Sequence, residues 1–181
     1  MPGGLKSINM LWATKYSPAL FKAISMRRQR HPRYCHSFID SCAFNPVDND
    51  EYTCSRKLLA GSDDGDFMLI VAHSVQKEID HPNTPGDIKR LSSQAIFTLE
   101  TNLTSEELVK RDEIRALVRG NAKLGRHESD ADHIFELHKY GGGYFITTDN
   151  RLLSRSKELF SKYFVTTIKP TDFELVLKSD T

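Results

Sequence analysis

The chain has 181 residues, 39% of them hydrophobic and 27% charged, with a formal net charge of +1. This is the make-up of one compact domain around one core, and it excludes a fibrous or wholly disordered chain. No apolar run approaches the roughly 20 residues that a helix needs to cross a bilayer, so a helical integral membrane protein is excluded as well.

The neutral total conceals an asymmetry. Residues 1–36 hold seven Lys and Arg and no acid, while the remainder holds 18 basic against 24 acidic residues. Residues 1–33 therefore read as a basic N-terminal leader and 34–181 as the folded domain. Within the leader, Arg27, Arg28, Arg30 and Arg33 are the candidate contacts to nucleic-acid phosphates. An organellar presequence, or a start at Met26, fits the same composition. Three cysteines, Cys35, Cys42 and Cys54, are too few for a disulfide framework and point to a cytoplasmic location. His31, Cys35, His36 and Cys42 lie close together but lack the paired spacing of a zinc site.

Residues 34–39 form a clustered apolar run that predicts a strand, ending at Asp40. Asn45-Pro46 and the acidic stretch 48–51 predict a loop, followed by a short helix over 54–60 and a turn over 62–65. Residues 67–71 are continuously apolar, as a parallel strand buried on both faces should be. A helix over 74–79 follows and is limited by Pro82, with Glu78 in its opening turn. The spacing of Ile88, Leu91, Ala95, Ile96 and Leu99 predicts a helix over 85–99. Thr104-Ser105-Glu106-Glu107 reads as a capping box opening a helix that runs toward Gly120. Ser129 is placed to cap a helix over 130–140 that stops at Gly141-Gly142-Gly143. A strand over 144–147, a helix over 151–163, a strand over 164–168 and a final helix opened by Pro170 complete the alternation. Strands alternating with helices predict an α/β fold with a mainly parallel sheet.

Ligands of open α/β sheets bind beyond the carboxyl ends of the strands. Asp40, Glu78 and Asp149 fall at or soon after such ends, and Asp130 opens the helix before the third strand. Each alone has an ordinary explanation as a cap, a helix-dipole partner or a turn residue. Four together at one sheet edge repel one another unless a cation neutralises them, and an all-oxygen ligand set points to Mg²⁺ or Mn²⁺ rather than zinc. His73, His127, His133 and His138 have no motif spacing and read as surface or packing residues.

The segment Phe38-Ile39-Asp40-Ser41-Cys42-Ala43-Phe44 resembles the first motif of the PIN-domain ribonucleases, a hydrophobic strand ending in Asp-Thr-Asn or a close variant. Val71-Ala72-His73-Ser74-Val75-Gln76-Lys77-Glu78-Ile79 is similar to the second, in which a strand leads to a helix with an acid. Asp130-Ala131-Asp132-His133-Ile134 through Tyr144-Phe145-Ile146-Thr147-Thr148-Asp149 resembles the third helix, glycine turn and strand ending in Thr-x-Asp. The likeness spans residues 34–177. It departs from the family at Ser41-Cys42, where Thr-Asn is commoner, and at Asp132, where relatives carry an apolar residue.

The resemblance implies a three-layer α/β/α sandwich of PIN type, with Asp40, Glu78, Asp130 and Asp149 as catalytic, metal-binding carboxylates supported by the hydroxyls of Ser41 and Thr147. It implies a Mg²⁺- or Mn²⁺-dependent endoribonuclease hydrolysing RNA phosphodiesters. Small single-domain members resemble the toxin halves of toxin–antitoxin pairs, so RNA, an antitoxin protein and a second copy of the chain are the partners this likeness admits, with no membrane. The alternative is a catalytically inactive PIN-like module that binds RNA or protein. An Asp-x-Asp reading of Asp130-Ala131-Asp132, as in TOPRIM-like nucleases, leaves the spacing to Asp149 without a purpose.

Overall fold

The computed structural model describes residues 29–179 except 64 and 94. The protein is an α/β domain in which a sheet of five parallel strands is flanked by helices. The strands are β1 (His36–Ile39), β2 (Leu69–Val71), β3 (Ile96–Phe97), β4 (Gly143–Ile146) and β5 (Val165–Ile168), in the order β3-β2-β1-β4-β5. Among the described residues, no helix is long and apolar enough to cross a membrane.

β4 shows why the sheet is covered on both sides. Successive strand residues point to opposite faces. The ring of Tyr144 meets Phe173 of α9 (Pro170–Lys178) at 5.4 Å between centroids, whereas Phe145 lies 6.3 Å from the His133 ring of α6 (Glu128–Lys139). Both strand residues are buried. α6 packs against α5 (Ser105–Arg119) and α3 (His73–Ile79), and α9 packs against α2 (Asn49–Asp63). The core runs through the sheet, with Phe38, Ile39, Phe145 and Ile146 fully buried at its centre.

The turn from α6 into β4 depends on glycine. Gly142 and Gly143 have φ of +79° and +145°. A Cβ at Gly142 would collide with the Phe164 carbonyl and one at Gly143 with the His36 carbonyl. Absence of the side chain therefore lets β4 come level with β1.

Several elements depart from the pattern expected of the sequence. Residues Pro32–Tyr34 form a 3₁₀ turn, so β1 starts at His36. The acidic stretch expected as a loop opens α2, because the Asp48 carboxylate accepts the N–H groups of Asp50 and Glu51 at 2.9 and 3.1 Å, which caps the helix start. The single helix expected over 85–99 is instead α4 (Gly86–Ser92) followed by β3. Ile96 and Phe97 pair with Ile70 and Val71, so edge pairing overrides the helical spacing. The helix over 151–163 divides into α7 (Asn150–Leu153) and α8 (Ser156–Tyr163), and Phe164 is its left-handed C-cap rather than a strand residue. The capping box of α5 forms as expected, with Thr104 N–H donating to Glu107 Oε2 at 2.8 Å and Glu107 N–H to Thr104 Oγ1 at 3.2 Å.

Candidate metal centre

Strand register brings the first acid to its place. β1 and β4 pair from His36↔Gly143 to Ile39↔Ile146, so they end level and the next residues, Asp40 and Thr147, lie side by side. Asp40 N–H extends the ladder to the Ile146 carbonyl at 2.9 Å. The Thr147 hydroxyl donates to Asp40 Oδ2 at 2.7 Å. β2 and β3 lie on one side of this pair and β5 on the other, which makes the gap between β1 and β4 the switch point where such sheets hold ligands.

Asp40 is only 4% exposed. Burial pushes its carboxyl pKa up, against the positive charge of His133 and the hydrogen bonds of Thr147 and Cys42. The Cys42 thiol donates to Asp40 Oδ2 at 3.1 Å. Burial and the Asp40 charge push that thiol up to about 11, so it remains a protonated donor at neutral pH. Cys42 thus supports the carboxylate at the position where the resembled family carries an amide.

Glu78 is in the last turn of α3 and not in its opening turn, so the helix N-terminus does not account for it. Ser41 Oγ donates to Glu78 Oε2 at 2.9 Å and lies 3.5 Å from Asp40 Oδ1, bridging the two acids. The Ser129 hydroxyl donates to Glu78 Oε1. Burial pushes the Glu78 carboxyl up, but the contact with His133 and its charge, with the hydroxyls of Ser129 and Ser41, outweighs it and holds the group at about 2.

His133 completes the group. The ring is fully buried, Nδ1 lies 2.8 Å from Ser74 Oγ, and Nε2 lies 3.3 Å from Glu78 Oε1 without making a hydrogen bond. Burial pulls its pKa down, yet Glu78 and Asp40 shift the balance upward. Ligand atoms of Asp40, Glu78 and His133 all lie within 4.8 Å of one another. Two carboxylates and an imidazole nitrogen without a hydrogen bond make a donor set that could hold a metal ion.

Asp130 and Asp149 reach the same sheet edge as a second pair. Arg151 Nη2 donates to Asp130 Oδ2 and, at 2.8 Å, to Asp149 Oδ2. Asp149 also caps α7 by accepting Arg151 N–H at 2.7 Å. Thr147 links the pairs: its hydroxyl oxygen accepts Asp149 N–H at 3.1 Å while donating to Asp40. Asp130 and Asp149 thus form a second pair, neutralised by Arg151 and joined to Asp40 through Thr147. Asp132 is held apart from both by a two-pronged pair with Arg115 at 2.8 and 2.7 Å.

No family model, curated protein or solved structure matches this chain. The geometry alone therefore carries the site.

Three contributors were not singled out by sequence spacing. Ser129 does not cap α6, which starts at Glu128 after a left-handed His127; its hydroxyl serves Glu78 instead. His133 lies four residues after Ser129 and three after Asp130, so it shares their helix face. That spacing was the available signal, and it outweighs the surface or packing role expected for this histidine. Arg151 had no signal beyond its nearness to Asp149. Of the leader arginines, Arg30 and Arg33 are exposed, and the Arg30 carbonyl accepts the Tyr144 hydroxyl at 3.0 Å. Arg27 and Arg28 lie outside the described residues.

Proposed function

We propose that the protein is a divalent-cation-dependent endoribonuclease of PIN type, hydrolysing RNA phosphodiester bonds in the cytoplasm. The observation that carries this reading is the meeting of Asp40 and Glu78 at the switch point, bridged by Ser41 and faced by His133 Nε2, which lies 3.3 Å from Glu78 Oε1 without a hydrogen bond. Asp40 and Glu78 would hold Mg²⁺ or Mn²⁺. Bound there, the cation supplies an activated water and offsets charge on the phosphate under attack.

The chain's own groups have separable tasks. Thr147 and Cys42 fix Asp40 Oδ2, and Ser41 and Ser129 fix the two oxygens of Glu78. Holding these oxygens in advance lowers the reorganisation needed at reaction. Asp130 and Asp149 add a second pair of carboxylates, and Arg151 Nη1, buried without a hydrogen bond, is a donor suited to a phosphate oxygen. A cleft of about 750 Å³ opens beside Glu78, lined by Lys77, His81, Asn83, Thr84 and Ser129 among others. Its Asn83 amide is suited to the backbone of a nucleic acid, while Lys77 is held by Glu100 at 2.9 Å and Asp132 adds a second acid to the lining. The three cysteines are free thiols, in keeping with a reducing compartment.

Cleavage of a labelled single-stranded RNA by the purified protein tests the reading. Activity is expected with Mn²⁺ or Mg²⁺, lost on chelation and lost in Asp40→Asn with an unchanged circular dichroism spectrum. An Asp40→Asn protein that cuts as wild type overturns it.

The second reading, a non-cleaving RNA- or protein-binding module, is favoured by Arg151, which already neutralises Asp130 and Asp149. RNA retained without cleavage, and unaffected by chelator, would select it.

A further inference from the structure

We propose that His133 Nε2, together with carboxylate oxygens of Asp40 and Glu78, forms a mixed nitrogen–oxygen ligand set that prefers a first-row transition cation such as Mn²⁺ to Mg²⁺. It deepens the cleavage reading by naming the class of cation at the same site, and rests on that reading for its biological use.

Two independent observations support it. The first is proximity: the three ligand atoms lie within 4.8 Å of one another, at the carboxyl ends of β1 and β2. The second is the state of the imidazole. His133 has no solvent exposure, so water does not satisfy its ring. Nε2 lies 3.3 Å from Glu78 Oε1 but has no hydrogen bond. Buried polar atoms without a hydrogen bond are uncommon, and a cation among the three groups would give Nε2 a bonded partner.

The imidazole is also oriented as a ligand should be. Ring nitrogens bound to metals commonly have their other N–H fixed by an outer partner, which sets the tautomer and the ring plane. Here the partner of Nδ1 is Ser74 Oγ at 2.8 Å. Ser74 is itself held, because its backbone N–H and that of His73 donate to Glu136 Oε1 and Oε2 at 2.9 and 2.8 Å. Thr98 donates to Glu136 Oε2 at 2.7 Å. A chain of contacts from β3 through Glu136 and Ser74 thus aims Nε2 at the two acids.

The chemistry of the donor decides the preference. Mg²⁺ favours oxygen ligands and gives up its waters reluctantly. Imidazole nitrogen suits the first-row transition ions, and carboxylates accept Mn²⁺ as readily as Mg²⁺. Two carboxylates with one imidazole therefore tilt the site toward Mn²⁺.

Mn²⁺ itself is the probe. The full chain, freed of metal by chelation and loaded with one equivalent of Mn²⁺, is measured by pulsed electron paramagnetic resonance for coupling to a directly bound histidine nitrogen, and by calorimetric titration with Mn²⁺ and Mg²⁺. The expected result is a ¹⁴N coupling that becomes ¹⁵N on histidine labelling, with Mn²⁺ bound at least tenfold more tightly than Mg²⁺. His133→Gln should lose the coupling and at least tenfold in Mn²⁺ affinity. Where His133→Gln fails to fold, His73→Gln and His127→Gln replace it, and the coupling must persist in both. Absence of histidine coupling in wild type, its persistence in folded His133→Gln, its loss in His73→Gln or His127→Gln, or equal affinity for the two cations overturns the proposal. RNA cleavage with Mg²⁺ but no histidine coupling would remove the nitrogen ligand and leave the nuclease reading standing. Histidine coupling without any RNA cleavage would do the reverse.

Discussion

The two acid pairs at the carboxyl edge of the sheet are neutralised in different ways. Asp130 and Asp149 close on a guanidinium, and each of the three side chains is about 30% exposed or less. Among the described residues no Lys or Arg pairs with Asp40 or Glu78; hydroxyls, a thiol and the buried ring of His133 surround them. In the arginine pair both carboxylates are bonded to the guanidinium, although Arg151 Nη1 is itself buried without a hydrogen bond. The other pair, a buried Asp40 and a Glu78 whose side chain is 36% exposed, gathers negative charge around a buried histidine with no guanidinium or ammonium beside it, and that is where an added cation has most to offset. The four acids at this sheet edge are therefore not equivalent.

Five changes test that contrast. The largest effect on stability is expected of His133→Leu, which leaves Asp40 and Glu78 facing each other without their positive neighbour. Urea denaturation without metal should show a loss of about 2 kcal/mol, below the scale of breaking a fully buried charged pair because the Glu78 side chain is 36% exposed, and Mn²⁺ should recover little of it. A loss below that of Arg151→Leu would mean that the pair around His133 is not the more demanding one.

Glu78→Gln keeps the shape but removes a ligand charge, so cleavage of labelled RNA should fall by about a hundredfold, or about 2.7 kcal/mol in the barrier. Asp130→Asn should fall by only about tenfold, since Arg151 already offsets that acid. Equal losses in the two variants would erase the distinction between the pairs.

Arg151→Leu removes the guanidinium from a partly exposed pair. Its thermal or urea stability should drop by about 1 kcal/mol in chelator, and divalent cation should restore most of the loss by taking the arginine's place between Asp130 and Asp149. Failure of the cation to restore stability would show that the second pair cannot bind metal.

Arg115→Ala is expected to do least. It breaks the pair with Asp132, whose side chain is 28% exposed, at a cost of about 0.5 kcal/mol with cleavage unchanged. A large fall in cleavage would bring Asp132 into the site.

The contrast also separates what was legible in the chain from what was not. The continuous apolar runs that became β2 and β4, the capping box at Thr104 and the glycine turn before β4 are local patterns, and each formed close to where its residues pointed. β3 was hidden because Ile96 belongs equally to a helical spacing with Ile88 and Leu91, and only the exposed edge of β2 made an extended strand the better use of it. Asp40 was legible as a strand-end acid. The importance of His133 was not, since a buried histidine on an apolar helix face reads as packing until Glu78 arrives from a helix 55 residues earlier in the chain.

Local order of apolar runs, glycines and caps, read along the sequence alone, determined an α/β chain with acids following its strands, because strand and helix periodicities and turn chemistry act between near neighbours. Tertiary structure alone decided which acids share a site and what neutralises them. Parallel pairing sets Ile39 level with Ile146 and so Asp40 beside Thr147. Packing of α3 on α6 brings Glu78 to Ser129 and His133, while the turn into α7 folds Arg151 back between Asp130 and Asp149. Charge partnership depends on distances of a few ångströms through space, and sequence separation does not encode those until the sheet has formed.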